Sequence, residues 1–283
     1  MAMDERGLGK RLQDARLAAG LTQQQLCAAA NLSFSTLTKI ERGAIKSPSI
    51  FTIEAIAEAL KLSLDELVGN ANSQANRRLK TTKTGVSFVY FDVNGCLVYF
   101  YQRAFDKLAL MSGAHLETVE SAFWHYNDQV CRGEISLDDF NLKLADRLGI
   151  DGLRWQDYYL ENVEPIQEMQ DLLKWTAQNY KVGLLTNIMP GLLGSMIRNN
   201  QLPNLAYDAI IDSSSVGAIK PELKIYKEAE AQAKVRPDQI LLIDDDRINL
   251  MASERLGWHV LWFDDSHPKD SVERARQALE PSS

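Results

Sequence analysis

The sequence is poor in the residues that build covalent or thiolate frameworks. Its three cysteines, Cys27, Cys96 and Cys131, lie far apart, form no CxxC pair and leave one unpaired. That excludes a disulfide framework and a thiolate zinc site, and it fits a reducing compartment. Histidine is scarce too: of four, His115, His259 and His267 have no partner at ligand spacing. No apolar run approaches the ~18 residues of a membrane span, and MAMDERGLGK lacks the apolar core of a signal peptide. The expectation is a soluble, cytoplasmic protein with no membrane partner. What is present is 283 residues, 45% hydrophobic and 24% charged, with apolar periodicity throughout, which argues for a folded chain of one large domain or two.

The net charge of -7 hides an asymmetry. Through residue 84 there are 12 Lys+Arg against 8 Asp+Glu, a balance of +4; the remainder carries 19 against 30, a balance of -11. A basic module on an acidic body suggests that the first part meets a polyanion. Small domains vary by a few charges anyway, so charge alone does not decide between the two readings.

Residues 4–68 read as short helices joined by tight turns. Leu8, Leu12, Ala15 and Ala19 recur at helical spacing until Gly20. Thr22 and Gln25 form a capping box for a second helix, with Leu26 and Ala29 facing inward. Ser33 caps a third, carrying Leu37 and Ile40 and ending at Gly43; Pro48 and Ser49 open a fourth; Ser63 starts a short fifth with Leu64 and Leu67. Five helices in about 65 residues, with a three-to-four-residue turn between the second and third, is a helix-turn-helix layout. The pieces LTQQQLC, STLTKIERG and SLDELVG, in that order and spacing, resemble a Cro/C1-type (XRE) DNA-binding domain along the whole stretch.

A recognition helix presents its N-terminal residues to base edges while the preceding helix crosses the backbone. The resemblance therefore implies that Ser33, Phe34, Ser35 and Thr38 face the major groove of a double-stranded DNA operator, the hydroxyls by hydrogen bonding and Phe34 against a thymine methyl. Gln23, Lys39, Arg42 and Lys46 would anchor phosphates. Such bundles also serve as protein-interaction modules, the lesser share here because the polar groove face has no other evident use. Residues 69–84, GNANSQANRRLKTTKT, break all periodicity. They place a linker at 70–84 between domains 1–69 and 85–283, with Arg77, Arg78, Lys80 and Lys83 read as a solvated basic tether.

From Val86 the pattern changes. VSFVYFDV, KVGLLTN, DAIIDS, QILLIDDD and HVLWFDD are short apolar runs separated by helical stretches. That alternation predicts a doubly wound parallel α/β sheet, which binds ligands at the carboxyl ends of its strands. Polar residues cluster at those ends: Asp92 and Asn94, Thr186 and Asn187, Asp244 and Asp245. FDVNGCLV, LLTN, the Lys220-Pro221 pair in GAIKPELKIY, and LLIDDDRIN resemble, in order, the four motifs of the haloacid dehalogenase (HAD) superfamily; TNIMPGLL and Gly257 agree with its phosphatase-like branch. The expected fold class is thus an all-α helix-turn-helix domain followed by an α/β, three-layer Rossmann-like domain with a helical cap.

The resemblance implies that Asp92 is a nucleophile forming an aspartyl-phosphate. It assigns Mg²⁺ to Asp92, Asp244, Asp245 and the backbone carbonyl of Asn94, hard oxygen ligands that suit that ion. Thr186, Asn187 and Lys220 would bind the phosphoryl group, Thr186 and Lys220 also serving catalysis, and Asn249 would brace the acidic loop. One position departs from the family pattern. Its phosphatases usually carry a second Asp two residues after the nucleophile, to protonate the leaving group and then activate water; here Asn94 stands there. Losing general acid–base help costs ~10²–10⁴-fold in rate.

Residues 99–165 are too long for an ordinary connection and carry helical patterns in FDKLALM, VESAFWHYNDQV and SLDDFNLKLADRLGI. The resemblance makes them a cap over the site, with Trp124, His125, Tyr126 and Arg132 as candidates for its inner face; aromatic residues at such spacing more often pack a helix core. The tail SVERARQALE reads as a surface helix. Three functions remain in view. The favoured one is a DNA-binding transcriptional regulator, probing a phosphorylated small molecule with Mg²⁺ and acting as a homodimer, with slow phosphohydrolase turnover compatible with it. The alternatives are an active phosphatase whose helix-turn-helix serves oligomerisation or autoregulation, and a HAD-type domain kept as a dimerisation scaffold.

Overall fold

The computed structural model describes residues 5–45, 48–60, 62 and 79–280. Lys46, the fifth helix expected from Ser63, and the tether residues Arg77 and Arg78 lie outside the described residues. The chain divides into two compact units, Met1–Arg77 and Arg78–Ser283. Among the described residues, no helix is long and apolar enough to cross a membrane.

The first unit contains α1 (Glu5–Ala18), α2 (Gln23–Ala29), α3 (Phe34–Glu41) and α4 (Ile50–Leu60). The caps fall where the side chains dictate. Thr22 and Gln25 close a reciprocal capping box at α2, Ser33 accepts from the Thr36 N–H at α3, and Ser49 accepts from the Thr52 N–H at α4. Leu8, Leu12, Leu26, Leu37, Ile40, Ile53, Ile56 and Leu60 form its core. α1 and α3 approach so closely at Gly9 that a Cβ there would stand 2.3 Å from the Ile40 carbonyl oxygen.

The second unit is built on five parallel strands: β1 (Phe88–Phe91), β2 (Lys181–Thr186), β3 (Ala209–Asp212), β4 (Ile240–Asp244) and β5 (His259–Trp262). Their order is β3-β2-β1-β4-β5, with Phe88 paired to Lys181 on one side and Ile240 on the other. All five expected strands are present. Alternation along β1 sends Val89 and Phe91 into one core and Phe88 and Tyr90 into another. The first face is covered by α9 (Gln167–Asn179), α10 (Leu192–Arg198) and α14 (Pro268–Leu279); the second by α11 (Ser213–Val216), α12 (Leu223–Ala233) and α13 (Arg247–Glu254). The result is the three-layer sandwich read from the sequence.

Between β1 and β2 come α5 (Gln102–Ser112), α6 (Leu116–Cys131), α7 (Leu137–Leu148) and α8 (Trp155–Asn162). These four helices pack around Tyr101, Phe105, Phe123, Phe140, Trp155 and Tyr159, continuous with the first-face core. The C-terminal helix is more than a surface decoration: Ser271, Ala275 and Leu279 are fully buried, and Arg276 lies over Trp175 of α9 at 5.1 Å. Its polar composition conceals a narrow inward stripe at i, i+4 and i+8 spacing.

Candidate active site

Three strands deliver charged or polar groups to one end of the sheet, as parallel architecture allows. Asp92 leaves β1, its N–H donating to the Ile243 carbonyl at 3.0 Å; Thr186 ends β2; Asp244 ends β4 and Asp245 follows. Asp92, Asp244 and Asp245 each present an oxygen within 4.8 Å of the others. Lys220, in the loop before α12, places Nζ 2.6 Å from Asp244 Oδ2 and 2.8 Å from Asp92 Oδ1. Both contacts are buried ion pairs at hydrogen-bond distance, so the one ammonium bridges the two carboxylates.

Neighbours hold these groups in place. Asn249 donates to Asp244 Oδ1 at 3.1 Å, bracing the acidic loop as expected, and the Asp246 N–H donates to the same oxygen at 2.9 Å. Asn187 grips Lys220 through its main chain: Oδ1 accepts from the Lys220 N–H at 2.7 Å and Nδ2 donates to its carbonyl at 3.0 Å. The Asn187 side chain is therefore committed to positioning Lys220. Gly95 sits at φ +83°, and a Cβ there would stand 2.3 Å from Asp245 Oδ2. Only glycine lets the loop after Asp92 touch the acidic loop after β4.

The charge inventory is unbalanced. Three carboxyl groups face one ammonium, a surplus of two negative charges when all are ionised. Burial, with Asp244 adding repulsion and Lys220 opposing it, pushes Asp92 up to about 6. Burial and the charges of Asp92 and Asp244 push Asp245 up to about 8. Burial alone would lower the Lys220 pKa, but Asp244 and Asp92 outweigh it and raise it, so Lys220 stays charged. Thr186 Oγ1 is fully buried with no partner, an arrangement that costs ~1–3 kcal/mol. Hard oxygen donors, two surplus negative charges and a glycine-cleared approach fit a divalent ion such as Mg²⁺; the unpartnered hydroxyl and the ammonium fit an anion beside it.

Asn94 is 5% exposed and both ends of its amide are engaged by residues flanking or within the inserted helices. Oδ1 accepts from the Tyr159 hydroxyl at 2.5 Å, and Nδ2 donates to the Tyr101 oxygen at 3.1 Å. Met196 Sδ lies 3.5 Å from the Tyr159 hydroxyl. Burial, then neighbouring charge including that of Asp92, raises both phenol pKa values far above the ordinary, so both stay protonated. Sequence reasoning missed these two tyrosines and singled out others. Trp124 instead stacks on Phe100 at 5.7 Å, His125 is exposed, Tyr126 takes Lys143 and Arg147 on its ring, and Arg132 pairs with Glu222 at 2.7 Å. The cause is helical phase: α6 turns Val119, Ala122, Phe123 and Val130 inward, and Trp124 and His125 fall outside that stripe. The usable signal was proximity in sequence, since Tyr101 follows the Asp92 loop by only a few residues.

In the first unit, Phe34 is 51% exposed at the start of α3, with Ser33, Ser35, Lys39 and Arg42 also exposed. Ser33 Oγ is already occupied as the α3 cap, 2.7 Å from the Thr36 hydroxyl. Two expectations need correction. Gln23 does not project freely toward phosphate, because its Nε2 donates to Glu41 Oε2 at 2.7 Å. Glu41 is in turn held by Arg16, with Nε–Oε1 at 2.7 Å and a second nitrogen at 3.3 Å, while Arg16 also donates to the Leu21 carbonyl. The Thr38 hydroxyl is buried and unpartnered instead of facing outward. At 100° per residue Thr38 borders the buried stripe of Leu37, Ile40 and Glu41, and its Oγ1 turns into that stripe.

Comparison with known proteins follows the division of the chain. A helix-turn-helix family model matches residues 12–67, and a haloacid dehalogenase-like hydrolase model matches 136–263. The second match begins beyond β1 and Asp92, so the structure adds the strand that completes the acid cluster. A predicted HAD-like family hydrolase from Porphyromonas gingivalis shares the fold with a TM-score of 0.59 at 21% identity, over 70% of this chain and 99% of that one. A HAD family enzyme from Bacteroides thetaiotaomicron, solved with magnesium and inorganic phosphate, gives 0.54 at 19%, over 64% and 96%. An L-2-haloacid dehalogenase from Xanthobacter autotrophicus, with chloropropionic acid covalently bound, gives 0.51 at 18%, over 69% and 85%. No curated protein matches the chain. With an ordered cap-and-turn framework in one unit and the strand-end acids in the other, the chain joins an XRE-type helix-turn-helix domain to a haloacid dehalogenase-like hydrolase domain.

Proposed function

We propose that this protein is a DNA-binding transcriptional regulator, cytoplasmic and homodimeric, whose second domain binds Mg²⁺ together with a phosphorylated small molecule. The domains are 1–69 and 85–283, joined by a linker at 70–84, with residues 99–165 as the cap. The observation that carries this reading is the contrast between Asn94 and its surroundings. The charged ring of Asp92, Asp244, Asp245 and Lys220 is complete, while the neighbouring position that would move protons is an amide tied to two phenols. Such a site holds an anion well and turns it over poorly.

In this reading Asp92, Asp244, Asp245 and the Asn94 carbonyl hold the ion, which offsets the carboxylate repulsion that would otherwise meet a phosphoryl group. The Thr186 hydroxyl and Lys220 ammonium bind the phosphoryl oxygens, and Asn187 fixes Lys220. Asp92 can attack phosphorus with departure of the ester oxygen, but that oxygen must take its proton from water, since an amide supplies none. Slow turnover is the expected result. In the first domain, Ser33, Phe34 and Ser35 meet base edges, and Lys39 and Arg42 anchor phosphates. The intact Asp92 and Lys220 pair favours an active phosphatase as the second reading. A panel of phosphorylated metabolites with Mg²⁺, scored for thermal stabilisation, hydrolysis and DNA gel shift, separates them. Stabilisation with altered DNA affinity and little turnover is expected; rapid turnover with unchanged DNA affinity would favour the enzyme.

A further inference from the structure

Among the described residues the sheet ends at β5, which pairs with β4 alone, and the helix beside it leaves an apolar face open. On α13, Arg247, Leu250, Met251 and Glu254 recur at i, i+3, i+4 and i+7 and so share one side of the helix. With Val260 and Trp262 of β5 they line a groove of about 250 Å³. Met251 is 52% exposed, and the adjoining Ile248 is 63% exposed. The Arg247 guanidinium lies 4.4 Å over the Trp262 ring, and the Trp262 indole N–H donates to the Asp245 carbonyl at 2.8 Å. Two restraints on one ring hold this face in shape before anything meets it. Arg247 and Glu254 are both exposed, and neither has an ion-pair partner among the described residues.

Charge along that stripe is its own complement. From the helix start it runs positive, apolar, apolar, negative, and the midpoint of Arg247 and Glu254 falls between Leu250 and Met251. An identical helix laid antiparallel across a two-fold axis at that midpoint sets each Arg247 opposite Glu254 of the partner subunit, with apolar side chains meeting between them. At 1.5 Å per residue the charged ends stand ~10 Å apart on both helices, so the two ion pairs close together. A polyanion or an acidic peptide would meet like charge at Glu254, and a basic peptide would meet it at Arg247. Trp, Met and Arg are side chains that interface cores favour, and an edge strand is where a sheet needs cover. Resting on the homodimer of the function proposed above, we infer that two copies of this chain dock through the α13–β5 face, α13 antiparallel to α13. The docking helix is continuous with the acid loop: the Asp246 side chain accepts from the Ile248 N–H at 2.7 Å, while the Asp246 N–H donates to Asp244. Ion site and dimer contact therefore share residues 244–247.

Sedimentation of the full chain over a range of concentrations reads the dimer directly. Glu254→Arg sets arginine against arginine at both ends of the contact, and Arg247→Glu sets glutamate against glutamate. Each variant is expected to raise the dimer dissociation constant about tenfold or more, with an unchanged circular dichroism spectrum. Mixed together, the two variants should pair with each other at close to the wild-type constant, because the heterodimer again opposes arginine and glutamate at both ends. Neither a folding defect nor a contact of this face with the first domain of the same chain would be rescued by mixing. Variants that weaken singly and are not rescued overturn the antiparallel docking. Dimers that persist unweakened in Glu254→Arg and in Met251→Lys put the interface elsewhere; they overturn the inference and leave the proposed homodimer standing. A wild-type chain that stays monomeric at every concentration removes the homodimer from the proposed function as well, so the two failures are told apart.

Discussion

Each unit buries a charged cluster, and the two clusters differ in whether their books of charge and hydrogen bonds close. In the helix-turn-helix unit, Arg16 faces both carboxylate oxygens of Glu41, Gln23 donates to Oε2 as well and the Leu21 carbonyl takes another guanidinium hydrogen. One positive charge meets one negative charge, and both carboxylate oxygens and all three guanidinium nitrogens have a partner. At the strand ends of the second unit, three acids meet one lysine, and Thr186 Oγ1 has no donor or acceptor. A balanced buried network fixes a shape. An unbalanced one, kept despite its cost, has a composition set by something it binds.

The strongest way to break this contrast is to remove one acid from each cluster. Glu41→Ala leaves the Arg16 guanidinium buried without a counter-charge and should cost about 3–5 kcal/mol in thermal or denaturant unfolding, with loss of DNA binding. A loss below about 1 kcal/mol would mean that the pair behaves like an exposed one. Asp245→Asn should do the opposite. Without metal at pH 7 the Asp245 carboxyl, pushed up to about 8, is already largely protonated, so the substitution leaves stability nearly unchanged while abolishing stabilisation by Mg²⁺. The same raised acids give the metal-free protein a pH signature. Both folded values, about 6 and about 8, lie above the usual 3.8, so the native state favours the protonated forms. Their contribution is fully present only below the unfolded value of 3.8 and is lost progressively as pH rises from there, to completion above about 6 for Asp92 and about 8 for Asp245. Saturating Mg²⁺ should reverse that slope, because it binds the ionised forms. A slope indifferent to Mg²⁺ would leave the acid cluster without a cation role.

A smaller effect sharpens the comparison within the second cluster. Asn94→Asp puts an ionisable carboxyl where the amide stands, still able to accept from Tyr159 and, after a hydroxyl rotation, from Tyr101. Hydrolysis of small phosphoryl compounds such as acetyl phosphate should rise about 10²-fold, near the lower end of what general acid–base help supplies. An unchanged rate in a folded, Mg²⁺-binding variant would show that something other than the missing acid limits turnover.

The sequence carried the framework well and the contacts between distant segments poorly. The five strands could be read because a doubly covered parallel sheet demands short, continuously apolar runs, and the strand-end acids followed from the topology. The caps at Thr22, Ser33 and Ser49 were legible because a cap is a local bargain between a side chain and a backbone N–H three residues on. Tyr101 and Tyr159 were not, since four helices and their connections lie between the one and the other and nothing local marks a phenol that will meet Asn94. Gln23 and Glu41, likewise, stand on different helices, and a glutamine at a helix start reads equally well as a phosphate contact or an interior partner. C-terminal helix burial was hidden for a related reason: two small residues and one leucine are a faint stripe in a polar segment.

The smallest expected effect lies on α3 and tests where the balanced unit ceases to be balanced. Thr38 Oγ1 is its one buried orphan among the described side-chain polar atoms of that unit. Thr38→Val keeps the shape and removes the unpaired hydroxyl, so it should stabilise the protein by about 1 kcal/mol, within the range for relieving a buried unsatisfied group. Since that hydroxyl faces inward, specific DNA binding should be unchanged. Ser35→Ala, on the exposed side of the same helix, should leave stability alone and weaken specific binding more than non-specific binding, which Lys39 and Arg42 sustain through phosphates. If Thr38→Val instead weakens specific binding, the hydroxyl must turn outward when DNA is present, and its burial in the free protein becomes part of what recognition has to undo.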